Sequence, residues 1–375
     1  MKRAKLTSLF FSDVHLFHDK TKTEHILFGF YDALPDTKVM DEVDLIVITG
    51  DLFDRSVSFP NPDVSLVYRF ISYLLNICAK YDIVLRILEG TPSHDWQQSK
   101  ILDELNNLRD IPVNAKHVNQ LSIEHIDKLG IDVLYVPDEW RPECSQTYTE
   151  VCQLLAQKGL QQVDFCYMHG VFGFQFPVNL VGKPDTHDEE SYMRITKQNI
   201  IIGHHHRHNQ FGSIVVPGSF DRLRHGEEEP KGYIKMVNYL DGSASTVITF
   251  IENKNAMMYK TLDCAGKTVQ DVIKTIVDIC NGSTEEKFIR IIANKDDPVY
   301  SGIKELKGLF PFIHFSINPV KKEKEALVAE TKDIIRPTVL TPEHLLELMT
   351  QRLYDKCPEK AQSAIELLEG VIRAN

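Results

Sequence analysis

Aspartate and histidine residues recur in the N-terminal part of the chain, and each group stands directly after a short apolar run. Carboxylate oxygens and imidazole nitrogens together suit Mn, Fe and Zn as ligands. The candidate metal ligands are Asp13, His15, Asp51, His169, His204 and His206. Residues of these types predict a site for divalent cations, and such a site predicts chemistry on phosphate groups.

The spacing of these residues supports the same interpretation. Asp13 and His15 are two residues apart, as are His204 and His206, and side chains two apart in an extended segment point the same way. Asp51 stands in a predicted turn, where its carboxylate can bridge two cations. Two such cations stabilise both the attacking and the leaving oxygen of a phosphoester, and they lower the pKa of bound water from ~15.7 toward ~7. The pattern predicts a two-metal phosphoesterase.

Each motif taken alone is weak. A lone DxH is more often a strand end with a buried structural histidine, and the histidine-rich run at 204–208 is also compatible with one structural metal site or a polar loop. The order of the motifs along the chain, each after an apolar run, is what favours a shared site.

Short apolar runs at 6–11, 45–49, 83–88, 165–168 and 200–202 predict strands that are buried on both faces. Helical periodicity at 67–78 and 101–108 lies between some of them. Strands that alternate with helices predict an α/β fold for a first domain, residues 1–238. Because ligands collect beyond the carboxyl ends of strands in such folds, we expect the five loops to converge on one site.

The pattern changes after residue 238. A helical stripe at 269–280, a strand at 288–293 and a helix at 303–309 predict a small α+β domain over 239–320. The pattern of residues 321–375 predicts a charged linker and then a pair of amphipathic helices, which start near Pro342 and Pro358. These helices pack either on the chain's own core or in the groove of a partner.

Composition limits the class of protein. The chain has 375 residues, of which 43% are hydrophobic, and its apolar runs fall short of the ~20 residues that span a bilayer, so we expect no membrane association. Seven scattered cysteines without a CxxC pair predict free thiols in a reducing cytoplasm. The net charge of −11 is unusual for a nucleic-acid binder, so cations or a partner must neutralise any phosphate site.

The order DxH, GDxxD, a loop ending in HD, a lone histidine and then GHxH resembles the calcineurin-like metallophosphoesterase superfamily. The run Val216-Pro217-Gly218-Ser219, followed by Gly226-Glu227 and Lys231-Gly232-Tyr233, is similar to the SbcD family of DNA repair and recombination nucleases, which has bacteriophage members. The resemblance covers residues 9–233. It implies a central β-sandwich flanked by helices, a small capping domain, and C-terminal helices that bind an SbcC-type coiled-coil ATPase.

The resemblance also implies roles for single residues. The implied ligands are Asp13, His15 and His206 for one metal, His169 and His204 for the other, and Asp51 as the bridge. Two divalent ions are implied, Mn first, with Mg, Fe or Zn as alternatives. His94 would face the scissile phosphate, protonating the leaving oxygen or stabilising the transition state, and Asp95 would orient His94 through a hydrogen bond.

One departure from the family pattern concerns the second metal. The family reads GNHD at the third motif, where Asn is a ligand, whereas this chain reads GTPSHD. Ser93 is the further candidate ligand, and it is a shorter and poorer one. Ser93 or Thr91 acting through water, or a substrate phosphate, are the alternatives. If Ser93 takes the Asn position, we expect Ser93→Asn to raise metal affinity.

Three further residues are candidates for substrate contact. Asp54 either orients a ligand or substrate or caps a turn. Arg55 and Arg222 contact DNA phosphates if they face the cleft, and otherwise are ordinary surface arginines.

These observations lead to an expected function. We expect a cytoplasmic, metal-dependent DNA nuclease subunit (in the host cytoplasm for a bacteriophage protein), with exonuclease activity on duplex ends and single-strand endonuclease activity. Its expected partners are DNA, an SbcC-type ATPase and a second copy of the chain. The alternatives are a phosphatase or phosphodiesterase acting on proteins or nucleotides, and a catalytically weak partner of an ATPase, which Ser93 would favour.

Overall fold

The structure is a computed structural model that describes residues 4–57, 60–138, 143–177 and 184–320. Within these residues the fold is mixed α/β, with three sheets flanked by helices. The predicted linker and helix pair at 321–375 lie outside the described residues. Among the described helices, none has both the length and the apolar character that a bilayer crossing requires.

The strands, in chain order, are β1 (Lys5–Phe11), β2 (Leu45–Ile48), β3 (Val84–Leu88), β4 (Ala115–Val118), β5 (Ser122–Ile126), β6 (Ile131–Val136), β7 (Phe165–His169), β8 (Ile200–Gly203), β9 (Asn209–Phe211), β10 (Ile214–Val216), β11 (Gly232–Tyr239), β12 (Val247–Glu252), β13 (Met258–Asp263), β14 (Lys287–Ile292) and β15 (Ile313–Asn318). The helices are α1 (Thr23–Ala33), α2 (Asp63–Tyr81), α3 (Pro92–Asp95), α4 (Ile101–Asn107), α5 (Cys144–Lys158), α6 (Glu189–Ile195), α7 (Val269–Cys280), α8 (Pro298–Ser301) and α9 (Ile303–Leu309). Short 3₁₀ turns lie at Lys38–Glu42, Gln98–Lys100 and Gly173–Gln175.

Two six-stranded sheets carry the site. The first has the order β12-β11-β1-β2-β3-β4. Strands β1 to β4 pair in parallel, whereas β11 pairs antiparallel with both β1 and β12. The second has the order β5-β6-β7-β8-β10-β9, in which β6, β7, β8 and β10 are parallel. Parallel neighbours need crossover connections, and α2 and α5 are the crossovers between β2 and β3 and between β6 and β7.

The two sheets share one core, and helices cover their other faces. In β2, Leu45 and Val47 lie in the core between the sheets with Tyr167 of β7. Ile46 and Ile48, which alternate with them, lie in the core that α1 and α2 complete. Residues of α5 and α6 cover the second sheet in the same way. Strands buried on both faces explain why the sequence shows continuous apolar runs.

The third sheet, β13-β14-β15, is parallel throughout and encloses its own small core with α7, α8 and α9. The elements predicted at 269–280, 288–293 and 303–309 are present. Helices follow β13 and β14 and carry the chain back, so that the three strands pair in parallel. Helices and strands therefore alternate here, whereas the sequence predicted an α+β domain. The first sheet also takes in β12, beyond the predicted division at residue 238, and the division into domains stays a prediction.

Asp221 joins the first part of the fold to the third sheet. Its Oδ1 accepts the backbone N–H of Arg222 at 2.6 Å and that of Met257, just before β13, at 2.7 Å. His25 Nε2 lies 3.6 Å from Asp221 Oδ2, and burial lowers the pKa of that imidazole. Burial also disfavours the charged form of the Asp221 carboxyl and raises its pKa to about 7. The carboxyl therefore favours its neutral form in the folded chain.

The raised pKa makes a prediction about stability. In the unfolded chain an aspartate titrates near pH 4, so between about pH 4 and pH 7 the unfolded state releases this proton before the folded state does. The Asp221 carboxyl therefore lowers the free energy of unfolding as pH rises through that window. Asp221→Asn keeps the Oδ1 acceptor and carries no charge, so its melting temperature relative to the parent chain should be higher at pH 8 than at pH 4. Thermal denaturation at several pH values checks this, and a difference independent of pH would contradict it.

Candidate metal centre

The candidate ligands lie at the carboxyl ends of parallel strands, on loops that open at one edge of each sheet. Two of them follow β1, one follows β2, one ends β7 and two follow β8. The structure brings their ligand atoms into overlapping groups, and within each group all atoms are within 4.8 Å of one another. The groups are Asp13, His15 and His206; His15, Asp51 and His94; and Asp51, His169 and His204. The convergence expected from the sequence is present in the described residues.

The first group is arranged like a set of metal ligands. His15 Nε2 lies 3.2 Å from His206 Nε2, and His206 Nε2 lies 3.8 Å from Asp13 Oδ1. The Nδ1 atoms face carboxylates, Asp54 at 3.1 Å for His15 and Glu227 at 2.8 Å for His206. An Nδ1–H that donates to a carboxylate leaves a lone pair on Nε2. Two lone pairs this close repel each other unless a cation lies between them, so these residues fit a metal ion.

The second group has the same character. His169 Nδ1 donates to the Thr49 carbonyl at 2.7 Å, so its Nε2 faces Asp51 Oδ1 at 3.3 Å and His204 Nδ1 at 3.3 Å. The Thr91 hydroxyl oxygen lies 3.3 Å from both imidazole nitrogens and 3.2 Å from Asp51 Oδ2. One carboxylate, two imidazoles and a hydroxyl therefore converge on one point.

Asp51 belongs to both sides of the centre. Its Oδ2 lies 3.8 Å from His15 Nε2 and 3.2 Å from His94 Nδ1, while Oδ1 faces His169. Burial favours the neutral carboxyl, but the charge and hydrogen bond of His169 outweigh it and hold the pKa of Asp51 well below its usual range. Burial opposes charge on His169 as well, yet Asp51 raises the pKa of that imidazole to about 10. In the metal-free chain Nε2 of His169 therefore carries a proton, which a cation bound there would displace. The shared carboxylate is therefore ionised, as a ligand must be.

The backbone at the ligands is strained. Nine non-glycine residues in the described part of the chain have positive φ, and four of them are candidate ligands. They are Asp13 (48°), His15 (53°), Asp51 (50°) and His204 (97°). Left-handed backbone at such residues costs on the order of 1–3 kcal/mol each and persists only where the surroundings enforce it. The strain is concentrated where the loops aim side chains at the two groups.

Two glycines allow the loops to approach each other. A Cβ at Gly90 would overlap the backbone N and the carboxylate of Asp51, and a Cβ at Gly203 would overlap Ser12 Oγ and the Thr49 carbonyl. The loops after β2 and β3, and those after β1 and β8, are therefore in direct contact, which the motif glycines make sterically possible.

Asp95 does not act on His94 as the resemblance implied. Its Oδ1 accepts the Phe53 N–H at 2.9 Å, and its Oδ2 accepts the N–H groups of Gly90 at 2.6 Å and Asp51 at 3.1 Å. Adjacent residues in a helical turn do not face each other, so the two side chains of α3 point to different partners. Asp95 instead fixes the loops after β2 and β3, and Asp51 itself is the partner of His94.

Ser93 is not placed with the ligand atoms. It is an exposed residue of α3, and its carbonyl accepts the indole N–H of Trp96 at 2.8 Å. The short helix turns Ser93 away, whereas Thr91 precedes the helix and donates its backbone N–H to Asp51 Oδ1 at 2.5 Å. Thr91 directly follows Gly90 as Asn follows Gly in the family pattern. Aligning on the glycine, with the two extra residues placed after Thr91, would have identified it from the sequence.

Two carboxylates lie behind the first group. Asp54 contacts His15, so it orients a candidate ligand, which was the first of its two interpretations. Glu227 contacts His206 and was not proposed as a site residue from the sequence, although it lies in the GE pair of the family-like run. Burial favours its neutral form, but His206 and Lys231 hold the pKa of Glu227 below its usual range.

The two candidate arginines have partners within the chain. Arg55 is paired with Asp19 at the surface. The Arg222 guanidinium donates to backbone carbonyls at 3.2 to 3.3 Å, which are those of Glu229, Ala256 and Met257. Arg222 therefore holds the segment before β13 in place, which the local sequence did not indicate, and it is not a free group for phosphate.

Comparisons with known proteins add little to this geometry. No family model matches the chain, and no curated protein matches it. One solved crystal structure, 12% identical, is similar over 66% of this chain and 100% of its own, with a TM-score of 0.37. A likeness at that score carries no argument about fold or function, so the interpretation of the site rests on its own residues.

The position of Thr91 leads to a prediction about metal affinity. Thr91→Val keeps the shape of the side chain and removes the hydroxyl from the second group, so we expect binding of Mn²⁺ at that group to weaken by about tenfold or more, as loss of a supporting group typically does. Ser93→Ala is the matched control and should bind metal like the parent chain. Calorimetric Mn²⁺ titration measures both, and equal effects of the two substitutions would contradict the assignment.

Proposed function

We propose that this chain is a metal-dependent phosphodiesterase that cleaves DNA, the nuclease subunit of an SbcCD-type repair or recombination complex. The proposal includes a metallophosphoesterase fold and two divalent cations, Mn first, with Mg, Fe or Zn as alternatives. It includes exonuclease action on duplex ends and endonuclease action on single strands.

The single observation that carries the proposal is the shared Asp51 carboxylate. One oxygen faces His169 at 3.3 Å, while the other lies 3.8 Å from His15. A buried carboxylate between two groups of imidazole nitrogens is suited to bridge two cations, whereas a structural site needs only one closed set of ligands. The mixed set of carboxylate and imidazole ligands also favours transition metals over Ca²⁺.

The residues divide the chemistry between them. When bound, two cations stabilise charge on the phosphodiester oxygens and lower the pKa of water. His94 is 36% exposed in its side chain, and its Nδ1 is held by Asp51 Oδ2 at 3.2 Å. Burial opposes charge on this imidazole, but the Asp51 hydrogen bond outweighs burial and raises the pKa of His94. Its Nε2 is then available to give a proton to the leaving oxygen of the sugar.

The overall charge bears on the partners of this site. A chain of net charge −11 repels DNA at long range, so cations at the centre and a second subunit would supply the attraction. We propose an SbcC-type ATPase bound through the C-terminal helices, and a homodimer, in the cytoplasm. The residues of the proposed ATPase contact, 321–375, lie outside the described residues.

Removing the shared carboxylate tests the proposal. Asp51→Asn should reduce Mn²⁺-dependent digestion of linear duplex DNA at least about a hundredfold, because groups that only orient metal ligands already contribute ~10–100-fold. Loss of product in a gel assay, with and without the ATPase partner, is the measurement.

The matched control is Asp127→Asn, since the Asp127 side chain is 99% exposed and lies in the turn between β5 and β6. It should digest DNA at the parent rate. A parent chain that leaves DNA intact in both conditions but hydrolyses a phosphopeptide or a cyclic nucleotide would replace the nuclease proposal with the phosphatase alternative.

The role of His94 predicts a dependence on the leaving group. His94→Ala should slow DNA cleavage by ~10²–10⁴-fold, the usual contribution of a general acid. Hydrolysis of bis(p-nitrophenyl) phosphate should fall much less, because p-nitrophenolate leaves without a proton. His205→Ala is the control, since His205 lies in the same histidine run and contacts the Arg207 carbonyl at 3.3 Å. Equal losses on both substrates would show that His94 does not act as an acid.

A further inference from the structure

Trp96 is an exposed aromatic side chain two residues after His94 in the sequence. Its exposed fraction is 61%, and it immediately follows α3, the short helix that contains His94. Consecutive Cα atoms are ~3.8 Å apart, so the Cα atoms of His94 and Trp96 are within about 7.6 Å. A base next to a phosphate at His94 would therefore come within reach of the indole.

The indole is held in place rather than free to rotate. Its Nε1–H donates to the Ser93 carbonyl at 2.8 Å, on the preceding turn of the same loop. Trp96 and Gln97 both have left-handed backbone, with φ of 47° and 56°. Two consecutive residues in this region are strained unless their surroundings enforce the conformation.

Buried carboxylates enforce the conformation of this loop. Glu89 Oε1 accepts the Gln97 N–H at 2.5 Å, and its Oε2 accepts His117 Nε2–H at 2.8 Å. At the other end, Asp95 holds the Gly90 N–H at 2.6 Å. The loop is thus fixed on both sides of Trp96, and it presents a large apolar ring to solvent on a rigid base. An arrangement of this kind suits recognition of a flat ligand, since little conformational entropy is lost on binding.

We propose that Trp96 stacks on an unpaired nucleobase beside the scissile phosphate, so that the site selects single-stranded segments and frayed ends of DNA. This inference rests on the proposed nuclease function. Inside a duplex both faces of a base are covered by its neighbours, so an indole can stack only on an unpaired base or a terminal pair. Stacking needs no positive charge, which suits a chain whose net charge is −11.

The test measures the affinity of the full chain, in Mn²⁺, for a fluorescein-labelled oligothymidine whose phosphorothioate linkages resist cleavage. A series of the same strand carries one abasic residue at each position in turn. For the parent chain, one abasic position should weaken binding by about 5- to 150-fold, which corresponds to ~1–3 kcal/mol for one stacked base. Trp96→Ala should lose this dependence on position, and Trp96→Phe should keep most of it.

The matched control is Leu108→Ala, because Leu108 is 82% exposed and follows α4, away from the metal ligands in sequence. Its abasic profile should equal that of the parent chain. The affinity ratio of parent to Trp96→Ala should also stay constant between about 50 and 200 mM NaCl. Stacking releases no counterions, whereas phosphate contacts do. Thermal melts of the variants verify that they are folded.

Three outcomes would overturn the inference. One is an abasic profile that is the same for the parent chain and Trp96→Ala. Another is a parent chain that binds none of the strands. The third is a Trp96→Ala variant that changes only self-association on sedimentation, because the indole would then cover protein instead of DNA. Duplex digestion and bis(p-nitrophenyl) phosphate hydrolysis by the parent chain separate these results from a failure of the proposed function itself.

Discussion

A buried carboxylate that faces imidazoles on two sides is the constraint around which the rest of this site is arranged. Asp51 is 2% exposed, and an ionised group at that depth is stable only where charges and hydrogen bonds replace water. The chain supplies them from three directions: His169 lies at one oxygen, His94 at the other, and the Thr91 N–H donates to the first. Because Thr91 and His94 lie after β3 and His169 ends β7, the position of the Asp51 side chain after β2 fixes the relative placement of loops from both sheets.

The two six-stranded sheets make that placement possible, because their cores are large and continuous while the site lies only at their edges. The strands that carry the ligands are buried on both faces, and the cores they complete lie between the sheets and beneath the helices. Loops anchored in this way can hold left-handed backbone at Asp13, His15, Asp51 and His204. The same strain in a loop without such anchoring would relax and disperse the ligand atoms.

The groups behind the ligands determine which nitrogen of each imidazole faces the centre. Asp54 and Glu227 occupy Nδ1 of His15 and His206, and the Thr49 carbonyl occupies Nδ1 of His169. All three rings therefore turn Nε2 inward. Asp95 and Glu89 act on the backbone instead, and they give the loop after β3 its shape. Acidic residues that appear unfavourable for a DNA-binding chain are thus used internally, to set tautomers and loop conformations.

The sequence by itself determined the strands and the identity of most candidate ligands, because both depend on local properties. Apolar runs such as 45–49 mark buried strands wherever they occur, and Asp13 and His15 are recognisable from residue type and a spacing of two. The parallel order of the strands then brings their following loops to one edge.

Only the tertiary structure decided the partners that join residues distant along the chain. The contact of Asp95 with the Asp51 N–H, the pairing of Glu227 with His206 and the use of Arg222 on three carbonyls all depend on loop conformation. Such contacts join positions up to tens of residues apart, and their geometry changes with a shift of one residue in a turn. Residue type limits which groups can pair, but the packing of the loops selects the pairs that form.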